Sequence, residues 1–425
     1  MKSMLPTSRR SVRATATVLV TALATAGLLA LGATGGGAAP AVRGFDGTTI
    51  KVAGLGIASQ FPGVPVGSKA RIKRFNDTNE IKGVKIDYVE YADDKQDPAT
   101  ALSEARRLVT QQQVFAIVGD TSQYNPADYF AQQQVPYFGW AFDNTYCSPK
   151  VTTSLWGFGY AGCIVAENPP WVGDLSRVPY EYVSKKTGKT HPTMTIVGGD
   201  SASGKNAVKF DAAASKGAGF DVVSTQNQIP TTVSDYTPYV QAALTADNGS
   251  APDVINCALA TDCIPMYGQI KAAGYKGLFL SGLYSNLLVK PMEGSGVTAT
   301  FVNPEDTSPG MALLKKDVDA LEPGQSAKVD SGMISAYSST DMFIQALKTV
   351  AKKGKSAITP AAVQKAAAVQ KWEIKGLAGP TNYPQSTGFD YPLCMTLMIS
   401  DGTTWNTVVP YGCSTKKFTQ AGKPA

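Results

Sequence analysis

The sequence predicts an α/β protein whose parallel sheets are divided between two Rossmann-like lobes. Three observations predict it. Lys85 to Gly119 reads strand, helix, strand, the βαβ unit that implies a parallel sheet. A second series of alternating strands and helices runs from Thr193 to Ser281. Finally, some 384 residues follow a leading export segment, too many for one compact core.

The first unit opens on an alternating run, Ile86, Tyr88, Val89 and Tyr91, and passes through an acidic turn, Asp93 to Asp97. Asp97 followed by Pro98 marks a helix start, because the carboxylate caps free N–H groups and proline suits the first helical position. Ala101, Leu102, Ala105, Leu108 and Val109 then recur at helical spacing. Val114 to Val118 is the next strand, apolar on both faces, and ends at Gly119. In the second series, Thr193–Gly198, Asp221–Ser224, Val254–Ala258 and Gly277–Ser281 read as strands, and 204–218, 236–245 and 264–273 as helices. Beyond it, Ala336–Ala351 is amphipathic, with Met342, Phe343, Ala346, Leu347 and Val350 on one side. Thr359–Val369 is an alanine-rich helix, and Cys394–Ser400 with Thr404–Pro410 form an antiparallel pair around Asp401-Gly402.

The same residues carry a family resemblance. The acidic turn with Asp97-Pro98-Ala99, the Ala/Arg/Leu-rich helix and the strand ending in Val118-Gly119 resemble the Leu/Ile/Val-binding proteins, solute receptors of ABC importers with the type I periplasmic-binding fold. Ile50–Gly56 resembles their first strand, Gly67–Asn76 their first helix, and Gln134–Phe138 the strand entering their binding loop. The resemblance spans essentially the whole chain after residue 41. It implies a non-enzymatic, monomeric receptor that closes two lobes on one small molecule and serves a membrane permease. It also implies a three-segment hinge, with crossings near 156–166, 283–288 and 379–383. Lobe one is then 42–160 with 286–378, and lobe two 161–285 with 379–425.

Residues 1–41 read as an export signal. Lys2, Arg9, Arg10 and Arg13 precede an apolar run from Ala14 to Leu31, glycines and a small-residue site at Ala39-Pro40-Ala41. Ser8-Arg9-Arg10-Ser11 loosely resembles a twin-arginine signal; an uncleaved anchor is the alternative. No cysteine lies near the site, so an exported protein of the cell envelope or medium is expected without a lipid anchor. Removing the segment's four positive charges takes the net charge from +6 to +2. No basic cluster interleaved with aromatics remains, which argues against nucleic acid. Six cysteines in an exported chain point to disulfides, grouped as Cys147 with Cys163, Cys257 with Cys263 and Cys394 with Cys413. Free buried thiols are the alternative; zinc fails for want of a CxxC pair and a second histidine.

Several chemistries are excluded or disfavoured. Gly199 to Asn206 imitates a phosphate-binding loop, but Asn206 stands where Ser or Thr must ligate magnesium, so it reads as a helix N-terminus facing a cleft. Gly54-Leu55-Gly56 lacks the third glycine of a dinucleotide site. The acidic turn lacks the glycine and distal glutamate of a calcium loop. No cofactor is expected. An exported α/β hydrolase is the competing class, yet His191 precedes a strand, at the wrong end for catalysis, and no nucleophile elbow occurs. A sensor reporting to a membrane kinase is the third.

Ligands of open α/β sheets gather at the carboxyl ends of strands. The loops there carry Ser59, Gln60 and Phe61; Thr121, Ser122 and Gln123; Trp140, Ala141 and Phe142; Asp200 and Ser201; Thr261 and Asp262; Leu283 and Tyr284. Hydroxyls with aromatic walls suit a small amphipathic solute, such as a branched-chain amino acid, an amide or an aromatic acid. By the resemblance, Ser122 and Ala141–Phe142 match the side that holds an amino acid's carboxylate. The matching ammonium acid falls near Leu283–Tyr284, which is uncharged; Asp262 is the substitute.

Overall fold

The computed structural model describes residues 42–424 apart from 142, 148–154, 165–171, 231–232, 260–261 and 384–392, so the expected export segment lies outside the described residues. The chain begins with β1 (Thr49–Gly56), α1 (Val64–Asp77), β2 (Lys85–Asp93), α2 (Pro98–Thr110), β3 (Ala116–Asp120), α3 (Ala127–Gln132), β4 (Tyr137–Gly139) and β5 (Gly157–Gly159). These strands form one parallel sheet in the order β2-β1-β3-β4-β5. The Asp97 carboxylate accepts the Thr100 amide at 2.7 Å, capping α2 as its sequence requires. Ala101, Ala105, Leu108 and Val109 turn inward against β1 and β2.

The second part runs β6 (Val172–Gly173), α4 (Arg177–Thr187), β7 (Thr193–Gly199), α5 (Ala202–Ala218), β8 (Asp221–Ile229), α6 (Thr237–Leu244), β9 (Val254–Cys257), α7 (Cys263–Ala272), β10 (Leu278–Ser281) and β11 (Gly296–Ala299). Then come α8 (Pro309–Leu321), α9 (Ser331–Ala351), α10 (Pro360–Ala367), β12 (Lys371–Ile374), β13 (Ala378–Asn382), β14 (Leu393–Ser400), β15 (Trp405–Ser414) and β16 (Lys417–Phe418). The second sheet has the order β15-β14-β11-β10-β9-β7-β8, parallel from β11 to β8 and closed by the antiparallel hairpin β14–β15.

One difference concerns residues 286–378, expected to belong wholly with the first lobe. β11 pairs with β10 and β14 in the second sheet, so the chain leaves that sheet after Ala299. A four-residue strand behind a tight turn gives little periodic signal. After β11 the helices return to the first sheet, where α9 packs on β3, β4 and α1. That approach is close: a Cβ on Gly67 of α1 would meet the Met333 carbonyl oxygen at 2.0 Å. Only glycine fits there.

All six cysteines are paired, Cys147–Cys163, Cys257–Cys263 and Cys394–Cys413, so the free-thiol alternative is set aside. The last pair staples opposite residues of β14 and β15. The second ties the end of β9 to the first residue of α7.

Asp211 on α5 gives a pH-dependent prediction. Burial raises its carboxyl from 3.8 to about 7, offset only in part by the Asn256 side-chain amide at 3.5 Å. The folded state therefore holds a proton that the unfolded chain has lost, and stability declines as pH rises from about 4 to 7. Asp211→Asn cannot ionise. It should match the parent at pH 4 and exceed it above pH 7 by at least about 1 kcal/mol, the free energy of one pKa unit. Thermal unfolding across pH reads this directly, and parallel profiles for the two proteins would refute it.

Candidate functional site

The carboxyl ends of both sheets converge on a cleft of about 250 Å³. Its first wall carries Gln60 and Phe61 after β1, Gln96 after β2, and Gln123 and Tyr124 after β3. The second wall follows β7 with Gly199, Asp200 and Ser201, and β8 with Ile229 and Pro230. Cys257, Leu259 and Asp262 join it at the β9–α7 turn, and Leu283 after β10.

Local chemistry fixes these loops. Ser201 caps α5, its hydroxyl accepting the Gly204 amide at 3.0 Å. A Cβ on Gly204 would meet the Gly199 carbonyl at 2.4 Å, which accounts for the glycines of the phosphate-loop-like run without any nucleotide. Asp200 pairs with Lys205 at 2.5 Å, and Asp262 accepts the Tyr236 hydroxyl. In the acidic turn, Asp93 accepts the Ala58 amide at 3.2 Å, tying the β1 and β2 loops together. Lys95 and Gln96 both adopt left-handed conformations there. The backbone amide of Gln96 is held by Asp94 at 2.8 Å.

Of the residues expected at the site, Gln60, Phe61, Gln123, Asp200, Ser201, Asp262 and Leu283 face the cleft. Ser59 is exposed outside it. Phe142 and Thr261 lie outside the described residues. The others sit behind the walls. Thr121 shares a 2.6 Å hydrogen bond with the Tyr91 hydroxyl. The Ser122 hydroxyl donates to the Asp94 carboxylate at 2.5 Å and accepts the Tyr124 amide at 3.1 Å, so it is committed within the protein. Trp140 packs behind Phe61, Ala141 is buried at φ +74°, and the Tyr284 hydroxyl donates to Asn286 and Glu305. Buried polar groups take partners within the protein, and here the Tyr91 hydroxyl and the Asp94 carboxylate supply them to Thr121 and Ser122.

Three buried carboxylates stand behind the first wall. Burial pushes the carboxyls of Asp94 and Asp143 up, and that of Asp120 well up, despite the hydrogen bonds that partly offset it. Asp120 accepts from Tyr146 and from the Ser122 amide at 3.0 Å; Asp143 accepts amides of Asn125 at 2.8 Å and Thr145 at 2.9 Å. They act as struts that hold the β2, β3 and β4 loops together.

Sequence reasoning missed Gln96, Ile229, Pro230, Cys257 and Leu259. Gln96 was findable, because it follows β2 at its carboxyl end like the residues that were found. Ile229 was hidden by the polar run Gln226–Gln228, which disguises the last third of β8.

Comparison with known proteins agrees with this architecture. Residues 49–398 match the periplasmic binding protein family, and the chain belongs to that family. It is thus a solute-binding receptor of the extracytoplasmic kind. No curated protein matches its sequence. Among solved structures, an ABC transporter substrate-binding protein from Aeropyrum pernix superposes with a TM-score of 0.68 at 14% identity, covering 86% of this chain and 96% of that one. A branched-chain amino acid ABC transporter protein from Thermus thermophilus, with bound valine, gives 0.66 at 15%, covering 87% and 97%. A solute-binding protein from R. palustris in complex with 4-hydroxybenzoate gives 0.63 at 18%, covering 86% and 97%. Identities this low carry the fold alone, a type I periplasmic-binding architecture.

Proposed function

We propose that this protein is the exported, non-enzymatic receptor of an ABC importer, a monomer without a lipid anchor that closes its two walls on one small amphipathic solute and delivers it to a membrane permease. The observation that carries the reading is the cleft itself. It lies where the carboxyl ends of the parallel strands of two sheets meet, and it combines amide side chains with an apolar lining of Phe61, Ile229, Leu259 and Leu283. The hydrolase reading is disfavoured because His191 is exposed ahead of β7, at the other end of that strand from the cleft.

A thermal-shift screen of amino acids, amides and aromatic acids tests the reading. A solute at a hundred times its dissociation constant should add about 2.7 kcal/mol to stability. Cells lacking the receptor should then fail to take up that solute. Unimpaired uptake with an altered transcriptional response would favour a sensor. Steady turnover of ester or amide substrates, lost on a serine substitution, would overturn the receptor reading.

A further inference from the structure

We propose that the cleft selects a solute with an uncharged amide-type head, a primary amide or urea group, on a short apolar body, and rejects the corresponding free carboxylate. This rests on the receptor reading above and narrows it.

The first wall presents, beside Tyr124, three primary amides, Gln60, Gln96 and Gln123, one from each of three successive loops. Each is neutral and both donates and accepts. The Oε1 of Gln60 is buried without a hydrogen-bond partner. A buried acceptor left unsatisfied is costly, and an N–H of an amide head satisfies it, whereas a carboxylate oxygen opposes it.

The second wall argues the same way. Two helix N-termini face the cleft, those of α5 and α7, and helix N-termini are the ordinary seats for a bound carboxylate. An acid of the protein stands beside each: Asp200 immediately precedes the α5 cap, and Asp262, the N-cap residue of α7, turns its carboxylate to the Tyr236 hydroxyl. No Lys or Arg is among the described residues lining the cleft, and the nearby Lys205 is paired with Asp200 at 2.5 Å. A ligand carboxylate would therefore meet the Asp262 carboxylate and an Asp200 whose cation is already engaged, with no Lys or Arg among the described lining residues to receive it. The Ser122 hydroxyl, the group best suited by sequence to receive a carboxylate, donates to Asp94 instead. Phe61, Ile229, Leu259 and Leu283 remain to bury a small hydrocarbon body.

Calorimetric titration of the exported chain with matched pairs tests the inference: isovaleramide against isovalerate, benzamide against benzoate, with isoamylamine as a cationic arm. The expected result is that the amide of at least one pair binds about tenfold or more tighter than its acid, the equivalent of one lost hydrogen bond to a buried group. Gln60→Leu should weaken that amide by a similar factor. Asp262→Asn should raise affinity for the acid several-fold while leaving the amide within about twofold, since it removes repulsion only. Equal or tighter binding of the acid, or preference for the amine, overturns the inference. If neither member of any pair binds while another solute of the broad screen does, the inference fails and the receptor reading stands. If nothing in the broad screen binds, the receptor reading itself fails.

Discussion

Arg71→Met is expected to destabilise the protein by about 3–5 kcal/mol, the usual cost of leaving buried acids without their cation. Arg71 on α1 is only 2% exposed. Its Nε donates to Asp341 on α9 at 2.6 Å, and its two terminal nitrogens grip Glu80 at 2.7 and 3.1 Å. Asp341 also accepts the Trp372 indole N–H at 3.0 Å, and Lys348 reaches Glu80 at 2.9 Å. One guanidinium thus joins α1, the turn after it, α9 and β12. Burial alone would raise the Glu80 carboxyl, yet it is held below its ordinary range by Arg71 and Lys348. Its contribution is therefore present above its unfolded pKa and fades as pH falls through the lowered value. Methionine fills the space but leaves Asp341 with the Trp372 bond and a distant Arg74, at 3.7 Å. Urea unfolding followed by circular dichroism measures the loss. The pair Arg71→Met with Asp341→Leu should recover part of it, because the penalty comes from uncompensated charge rather than lost volume. A single-variant loss under about 1 kcal/mol would show that the site relaxes or admits water.

The same helices show what the sequence could and could not say. The βαβ unit at Lys85–Gly119 was legible because each level agreed there: an alternating strand, an aspartate cap with proline, an apolar helical stripe and a short buried strand. α9 was expected from Ala336 and begins at Ser331, five residues earlier. Its first turns bury Ser331, Ser335, Ser338 and Ser339 along with Met333, Ile334 and Tyr337, so the helix is buried all round and shows no one-sided apolar stripe to mark its start. The start was still written in Asp330, whose carboxylate accepts the Met333 amide at 2.7 Å. α4 and α8, with lysines in their sequences, drew no expectation at all. For the site, the rule of strand carboxyl ends picked out loops that line the cleft and could not choose between neighbours. Gln123 enters the cleft while Ser122 beside it turns to Asp94, 28 residues away in sequence. That choice depends on a tertiary contact, which one sequence does not display.

Trp140→Ala is expected to cost about 3–5 kcal/mol of stability, the range for emptying a core of a large aromatic, and to alter solute affinity only as a consequence. The sequence suggested the indole as a pocket wall. In the structure it is 5% exposed and lies one layer back, edge-on to Phe61 at 5.9 Å, with Tyr160 and Phe301 each 6.3 Å away. Phe61 is the residue that meets the cleft. Tyr160 follows β5 and Phe301 follows β11, where the chain leaves each sheet, so the indole joins the β1 loop to two passages between sheets. Its loss should loosen the support of Phe61 and of those two passages together. Trp140→Phe keeps most of the buried area and should lose about 1–2 kcal/mol. Phe61→Ala should weaken binding of the preferred amide more than Trp140→Ala does, relative to the stability each removes, because it strips apolar surface from the cleft itself. Urea unfolding and calorimetry on the three variants separate the two roles. If Trp140→Ala unfolds like the parent but binds far more weakly, the indole touches the solute and does not sit one layer behind Phe61.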